Sequence, residues 1–126
     1  MSSMRWVSVS LYAAALVVAT LVPWSHPGRT VPRIDMALHF VAWTVLAFLT
    51  AIAWAKSRAP IGAAALAALA AVCFGALIEV LQPLTGRTAE LHDLAADALG
   101  AVLGAAAAAI AVWSGQRLAK RTGDPR

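Results

Sequence analysis

Four long apolar runs, each separated from the next by proline, glycine or basic residues, dominate this chain. They extend from about Trp6 to Val22, Met36 to Ala55, Ile61 to Leu81 and Leu94 to Trp113. Each approaches the roughly 20 residues that a helix needs to cross a bilayer. Only helices and closed barrels span lipid, because backbone polar groups find no water there. The runs lack the alternation of half-buried strands, so they predict helices. The expected fold is an all-α polytopic membrane protein, a four-transmembrane-helix bundle. Composition closes off the soluble alternative: 61% of residues are hydrophobic and 13% are charged, against about 25% charged in soluble domains.

Pro23, Pro27, Gly28 and Pro32 interrupt the first connection, Lys56, Arg58 and Pro60 the second, and Pro83, Gly86 and Arg87 the third. No linker is long enough to divide the chain, so residues 1–126 read as a single domain with a basic tail over 114–126, expected to fray. With four crossings, Arg5, Lys56, Arg58, Arg117, Lys120, Arg121 and Arg126 share one side, and Arg29, Arg33 and Arg87 the other. The excess of positive charge predicts both termini in the cytoplasm and the first and third loops outside. A cleaved leader after Arg5 is disfavoured, because Pro23-Trp24-Ser25-His26 follows the run instead of a small-residue cleavage site. The net charge of +4 is spread over loops and tail. It forms no basic-aromatic face of the kind that nucleic acid requires. Cys73 excludes an internal disulfide and reads as a small buried hydrophobe.

Against this background the ionisable residues inside the runs stand out. Charged groups within membrane helices are costly, face protein or a wet cavity, and mark function by default. Asp35 is a plausible N-cap of the second helix, and His39 lies one turn deeper on the same face. Gly75, Glu79 and Gln82 fall within about 60° on the third helix, as do Asp93, Asp97, Gly100 and Gly104 on the fourth. Pro83 is expected to end the third helix. Glu79 reads either as part of a site or as a salt-bridge partner of Arg87 or His39. Dipole compensation explains Glu90 and part of Asp93 but not the deeper Asp97. The Gly100–Gly104 spacing gives a small-residue packing face, within the chain or between copies. Asp35, Gln82 and Asp93 should lie near the outer boundary, with His39, Glu79 and Asp97 a turn below. Together with Arg87 they form one candidate polar layer. Several carboxylates in a low-dielectric layer repel one another, so a proton, His39, Arg87 or a cation must offset them. Trp6, Trp24, Trp54 and Trp113 suit interfacial anchoring, whereas Trp43 lies deeper, as core or as a lining of the site.

At these residues the chain resembles the VanZ-like family of small bacterial membrane proteins. That family shows an Asp-Lys-x-x-His-Phe opening, then Glu-x-x-Gln, an Arg, and Asp-x-x-x-Asn-x-x-Gly-x-x-x-Gly. The matching stretches are Asp35 through His39-Phe40, Glu79 through Gln82, Arg87, and Asp93 through Asp97, Gly100 and Gly104. The resemblance covers about residues 10–113. Met36 stands where the pattern has Lys, and Asp97 where it has Asn, so the local balance is more negative here. The resemblance implies a bacterial cell-envelope protein related to low-level teicoplanin resistance.

The favoured function is a non-enzymatic membrane factor. It would bind an envelope lipid or cell-wall precursor, or a partner helix, at the outer face, with Arg87 on a phosphate or carboxylate and Gln82, His39 and the acids on polar headgroup atoms. A membrane-embedded enzyme on a lipid-linked substrate would use Glu79 or Asp93 as general base, or His39 with the acids around a metal that activates water. The spacings match no strong metal motif such as His-Glu-x-x-His, so no metal ligand and no cofactor is assigned. His26 and His92 read as loop and helix-end residues. A small proton-coupled transporter or assembly subunit is the third reading, and a homo-oligomer through Gly100 and Gly104 would suit it.

Overall fold

The computed structural model describes residues 2–22 and 32–122. Four helices follow in order: α1 (Ser2–Leu21), α2 (Pro32–Trp54), α3 (Pro60–Leu81) and α4 (Leu91–Thr122). A short 3₁₀ turn, Gln82–Thr85, links the last two. There is no strand among the described residues. All four helices are long and apolar enough to cross a membrane, over Ser3–Leu21, Ile34–Trp54, Pro60–Thr85 and Leu91–Arg121. The chain is an all-α four-helix bundle, as the apolar runs predict. Pro23, Trp24, His26, Pro27, Gly28, Arg29 and Arg126 lie outside the described residues.

Two helix ends depart from expectation. α2 starts at Pro32, so Asp35 sits in its first turn and is not the N-cap. Proline is preorganised for the first helical position, and an acid in that turn still faces the positive end of the dipole. α4 does not fray after Trp113 but continues to Thr122. Gln116, Arg117, Leu118, Ala119, Lys120 and Arg121 are good helix formers, and Lys120 and Arg121 in the last turn oppose the dipole. Its 32 residues make a rod of about 48 Å, longer than the roughly 30 Å hydrocarbon layer. The Arg117 guanidinium lies 3.5 Å from the Trp113 ring centroid, a cation–π contact suited to a membrane interface.

α2 is the hub and packs most extensively on α4. The two run in parallel, with His39 beside Asp97 and Ala51 clustered with Ala108. Gly100 and Gly104 make this contact possible. A methyl group at Gly100 would overlap the Phe40 carbonyl oxygen, and one at Gly104 the Thr44 carbonyl oxygen. The small-residue face is therefore consumed inside the chain and is not free to pair copies. Trp43, Leu46 and Ala47 of α2 form the main core with Leu16, Ala71, Ile78, Ala101 and Ala105. Cys73 corrects another expectation: its thiol is free and exposed on the outside of α3. In lipid a thiol on that face costs little, since it behaves as a small hydrophobe. α1 lies antiparallel to α2. Arg5 Nη1 donates to the Ile52 carbonyl at 3.2 Å, Trp6 meets Trp54 edge-on with centroids 5.7 Å apart, and Tyr12 Oη donates to the Ala42 carbonyl at 3.2 Å.

Candidate functional site

The helix faces that carry the in-span ionisable residues turn inward. His39 is 5% exposed, Glu79 6%, Asp93 4% and Asp97 0%. Parallel packing of α2 on α4 sets His39 between the two aspartates. Its Nδ1 lies 2.9 Å from Asp97 Oδ1, and its Nε2 lies 3.7 Å from Asp93 Oδ2. The imidazole stacks on Trp43, with centroids 5.6 Å apart and planes 12° from parallel. Trp43 is itself anchored, because its Nε1 donates to the Ala71 carbonyl of α3 at 3.0 Å. Trp43 is thus both core and wall of the cluster. The ring of His39 is held from one face by an aromatic plane and along its edge by two carboxylates.

Glu79 reaches the same cluster from α3. Its Oε2 accepts the Glu90 backbone N–H at 2.9 Å. The Gln82 amide, turned to suit its neighbours, donates to the same Oε2 at 3.2 Å and to the Thr88 carbonyl at 3.1 Å. Glu79 therefore ties the end of α3 to the start of α4. It makes no ion pair with Arg87 or His39 among the described residues. The 3₁₀ turn explains why. Gly86 adopts φ +81°, a left-handed conformation that favours glycine, and the Arg87 N–H returns to the Gln82 carbonyl at 3.1 Å. The chain reverses there, and Arg87 emerges beside α2. Its Nη2 stands 4.0 Å from Asp35 Oδ2, with both side chains about a quarter exposed.

Two buried oxygens, Glu79 Oε1 and Asp97 Oδ2, have no hydrogen-bond partner among the described residues. Donor atoms of His39, Glu79 and Asp97 lie within 4.8 Å of one another. Gly75 provides the room: a methyl there would come 2.7 Å from Trp43 Nε1 and 2.8 Å from Asp97 Oδ2.

The polar order of these residues along the chain has a counterpart among known families. The VanZ/LLP1 family matches residues 9–112. The chain belongs to the VanZ/LLP1 family. No curated protein matches it, and no solved structure does. The VanZ/LLP1 match contains Asp35, His39, Glu79, Gln82, Arg87, Asp93 and Asp97, and stops before the basic end of α4.

Within this VanZ/LLP1 membrane protein a groove of about 260 Å³ opens between α1 and α2. Its lining includes Asp35, Arg87, His39 and Trp43 together with the apolar Leu16, Ala19, Leu38 and Ala42. The contribution of α1, including Thr20, is absent from the sequence reading. Thr20 carries no charge to mark it, and its hydroxyl satisfies itself on the Leu16 carbonyl at 2.7 Å.

Proposed function

We propose that this protein binds an amphiphile of the bacterial cell envelope, a lipid or a lipid-linked cell-wall precursor, from the outer face of the membrane. The observation that carries this reading is the groove, whose lining combines apolar side chains with the polar groups of Arg87, Asp35 and His39. Ligand sites are concave and mostly apolar, with a few placed polar groups that fix orientation. Arg87 supplies the fork suited to a phosphate or carboxylate, while Leu38 and Ala42 offer surface to an acyl or prenyl chain. The chain acts as one domain over residues 1–126, in the bacterial cell membrane, with both termini cytoplasmic, as its distribution of basic residues favours. Occupation of a precursor at the outer leaflet would alter glycopeptide susceptibility. An enzyme working through Glu79 is less well supported, since its Oε2 is already engaged by Glu90 and Gln82.

Photo-crosslinking tests this reading. The protein is reconstituted in vesicles containing a photoactivatable polyprenyl phosphate, or a photoactivatable phosphatidylcholine as control. Labelling by the phosphate probe should concentrate around Leu16 and Leu38 and fall sharply in Arg87→Ala. Even labelling of all lipid-facing helices by both probes would refute the reading. In a sensitive Gram-positive host, wild type should protect against teicoplanin, and Glu79→Ala, at matched membrane levels, should not.

A further inference from the structure

The buried cluster holds more negative charge than its own partners offset. Glu79, Asp93 and Asp97 bring three carboxylates, and His39 brings at most one positive charge. Ionised groups removed from water are strongly disfavoured unless paired. Hydrogen bonds do not close the gap, since Glu79 Oε1 and Asp97 Oδ2 are unpartnered. Both residues are more than nine-tenths buried.

We infer that His39, Glu79 and Asp97 form a binding site for one divalent first-row cation of the zinc or manganese type. The donor set is one imidazole nitrogen and two carboxylate oxygens, with atoms within 4.8 Å of one another. A tetrahedral zinc ion, with bonds near 2.1 Å, holds its ligand atoms about 3.4 Å apart. Small rotations of the two carboxylates close that difference. The ring orientation fits as well. Nδ1 faces Asp97, on the ligand side, and Nε2 faces Asp93. A metal-bound histidine typically gives its second N–H to a carboxylate, which fixes the ring. Asp93 Oδ2, at 3.7 Å, is the carboxylate that would have to close to hydrogen-bond distance to take that supporting role. Charge agrees: with His39 a neutral ligand the three carboxylates leave an excess of three negative charges, and a divalent cation reduces it to one. With no thiolate in the set, soft ions such as Cu(I) are disfavoured. Around a tetrahedral zinc ion, three protein ligands leave one coordination position open, which is the arrangement of sites that hold an exogenous oxygen. The sequence admits His39 with the acids as metal ligands but does not single out this set, because its members come from three helices with no local spacing. The inference goes beyond the amphiphile reading and stands without it.

The test uses protein purified with a histidine-free tag, in detergent without added lipid and stripped with a chelator. Wild type should take up one equivalent of Zn²⁺ or Mn²⁺ per chain and unfold at a higher temperature as the ion is added. Stabilisation should grow as the logarithm of the free ion above its Kd. His39→Gln and Glu79→Gln should each weaken binding at least tenfold. His92→Gln, which removes an exposed imidazole on the residue before Asp93, should leave binding unchanged. The zinc X-ray absorption spectrum should show nitrogen and oxygen neighbours and no sulfur. If a variant fails to insert, the wild-type stoichiometry and spectrum decide alone. Absence of stoichiometric uptake by the stripped wild type would overturn the inference. So would a preference for Mg²⁺ or Ca²⁺, or loss of the site in His92→Gln with retention in His39→Gln. Because no lipid is present, none of these failures bears on the amphiphile reading.

Discussion

Gly100→Ala probes the contact on which the whole polar cluster depends. A Cβ at this position would overlap the Phe40 carbonyl oxygen and stand 3.1 Å from both the Phe40 carbonyl carbon and the Thr44 nitrogen. All three are backbone atoms, so no side-chain rotation relieves the clash and α2 must move away from α4. Overpacking of this kind costs about 1–3 kcal/mol. Against it stands a gain of roughly 0.5–1 kcal/mol from removing glycine from a helix. The expected net loss is therefore about 0–2.5 kcal/mol against wild type, and about 1–3 kcal/mol against a control that keeps the helix gain without the clash. Gly115→Ala is the matched control, since it lies on the same helix with nothing within 4 Å of its added methyl. It should keep the helix gain alone. Unfolding free energies from steric trapping in lipid–detergent mixtures would compare the two directly. If Gly100→Ala proved as stable as Gly115→Ala, the close α2–α4 approach, and with it the seating of His39 against Asp97, would be refuted.

Trp43→Phe keeps an aromatic plane against His39 but loses the N–H bond to the Ala71 carbonyl. It should cost about 0.5–1.5 kcal/mol in the same assay, and no loss would mean that this bond is not formed. Asp35→Asn breaks a part-exposed 4.0 Å contact with Arg87, so stability should change by less than about 1 kcal/mol; a larger loss would show that the pair is structural. In a cysteine-free Cys73→Ala background, Arg87→Cys should react with an impermeant maleimide added outside intact cells and Lys56→Cys should not, with the opposite pattern reversing the topology. Neutralising Arg117, Lys120 and Arg121 together should leave teicoplanin protection intact at matched membrane levels, and its loss with topology preserved would move the site away from the outer cluster.

The four spans were legible because a bilayer imposes length and apolarity on any helix that crosses it. The facing of Glu79, Asp93 and Asp97 was legible because helical phase follows from residue number. What connects the helices was not. The left-handed turn at Gly86 decides where Arg87 goes, and it sends the guanidinium to Asp35 when helix phase alone left Glu79 equally eligible. The engagement of Glu79 with the Glu90 backbone depends on how two helix ends meet, which no local pattern encodes. Cys73 shows a different limit. Among so many alanines, α3 has no polar contrast to tell its lipid face from its protein face, so exposure of the thiol could not be deduced. Gly100 and Gly104 announced a packing face, but spacing is silent on whether the partner is α2 or another copy.

The loose seating of α1 carries a kinetic consequence. Among its described residues only Leu16 and Thr20 are buried, yet both line the groove. That groove therefore takes the whole of what α1 buries into its lining. A molecule already dissolved in the leaflet reaches such an opening by lateral diffusion and never has to leave the bilayer. For the amphiphile proposed above, occupancy would follow its mole fraction among its neighbours in the membrane, and an aqueous concentration would be the wrong scale on which to express its affinity.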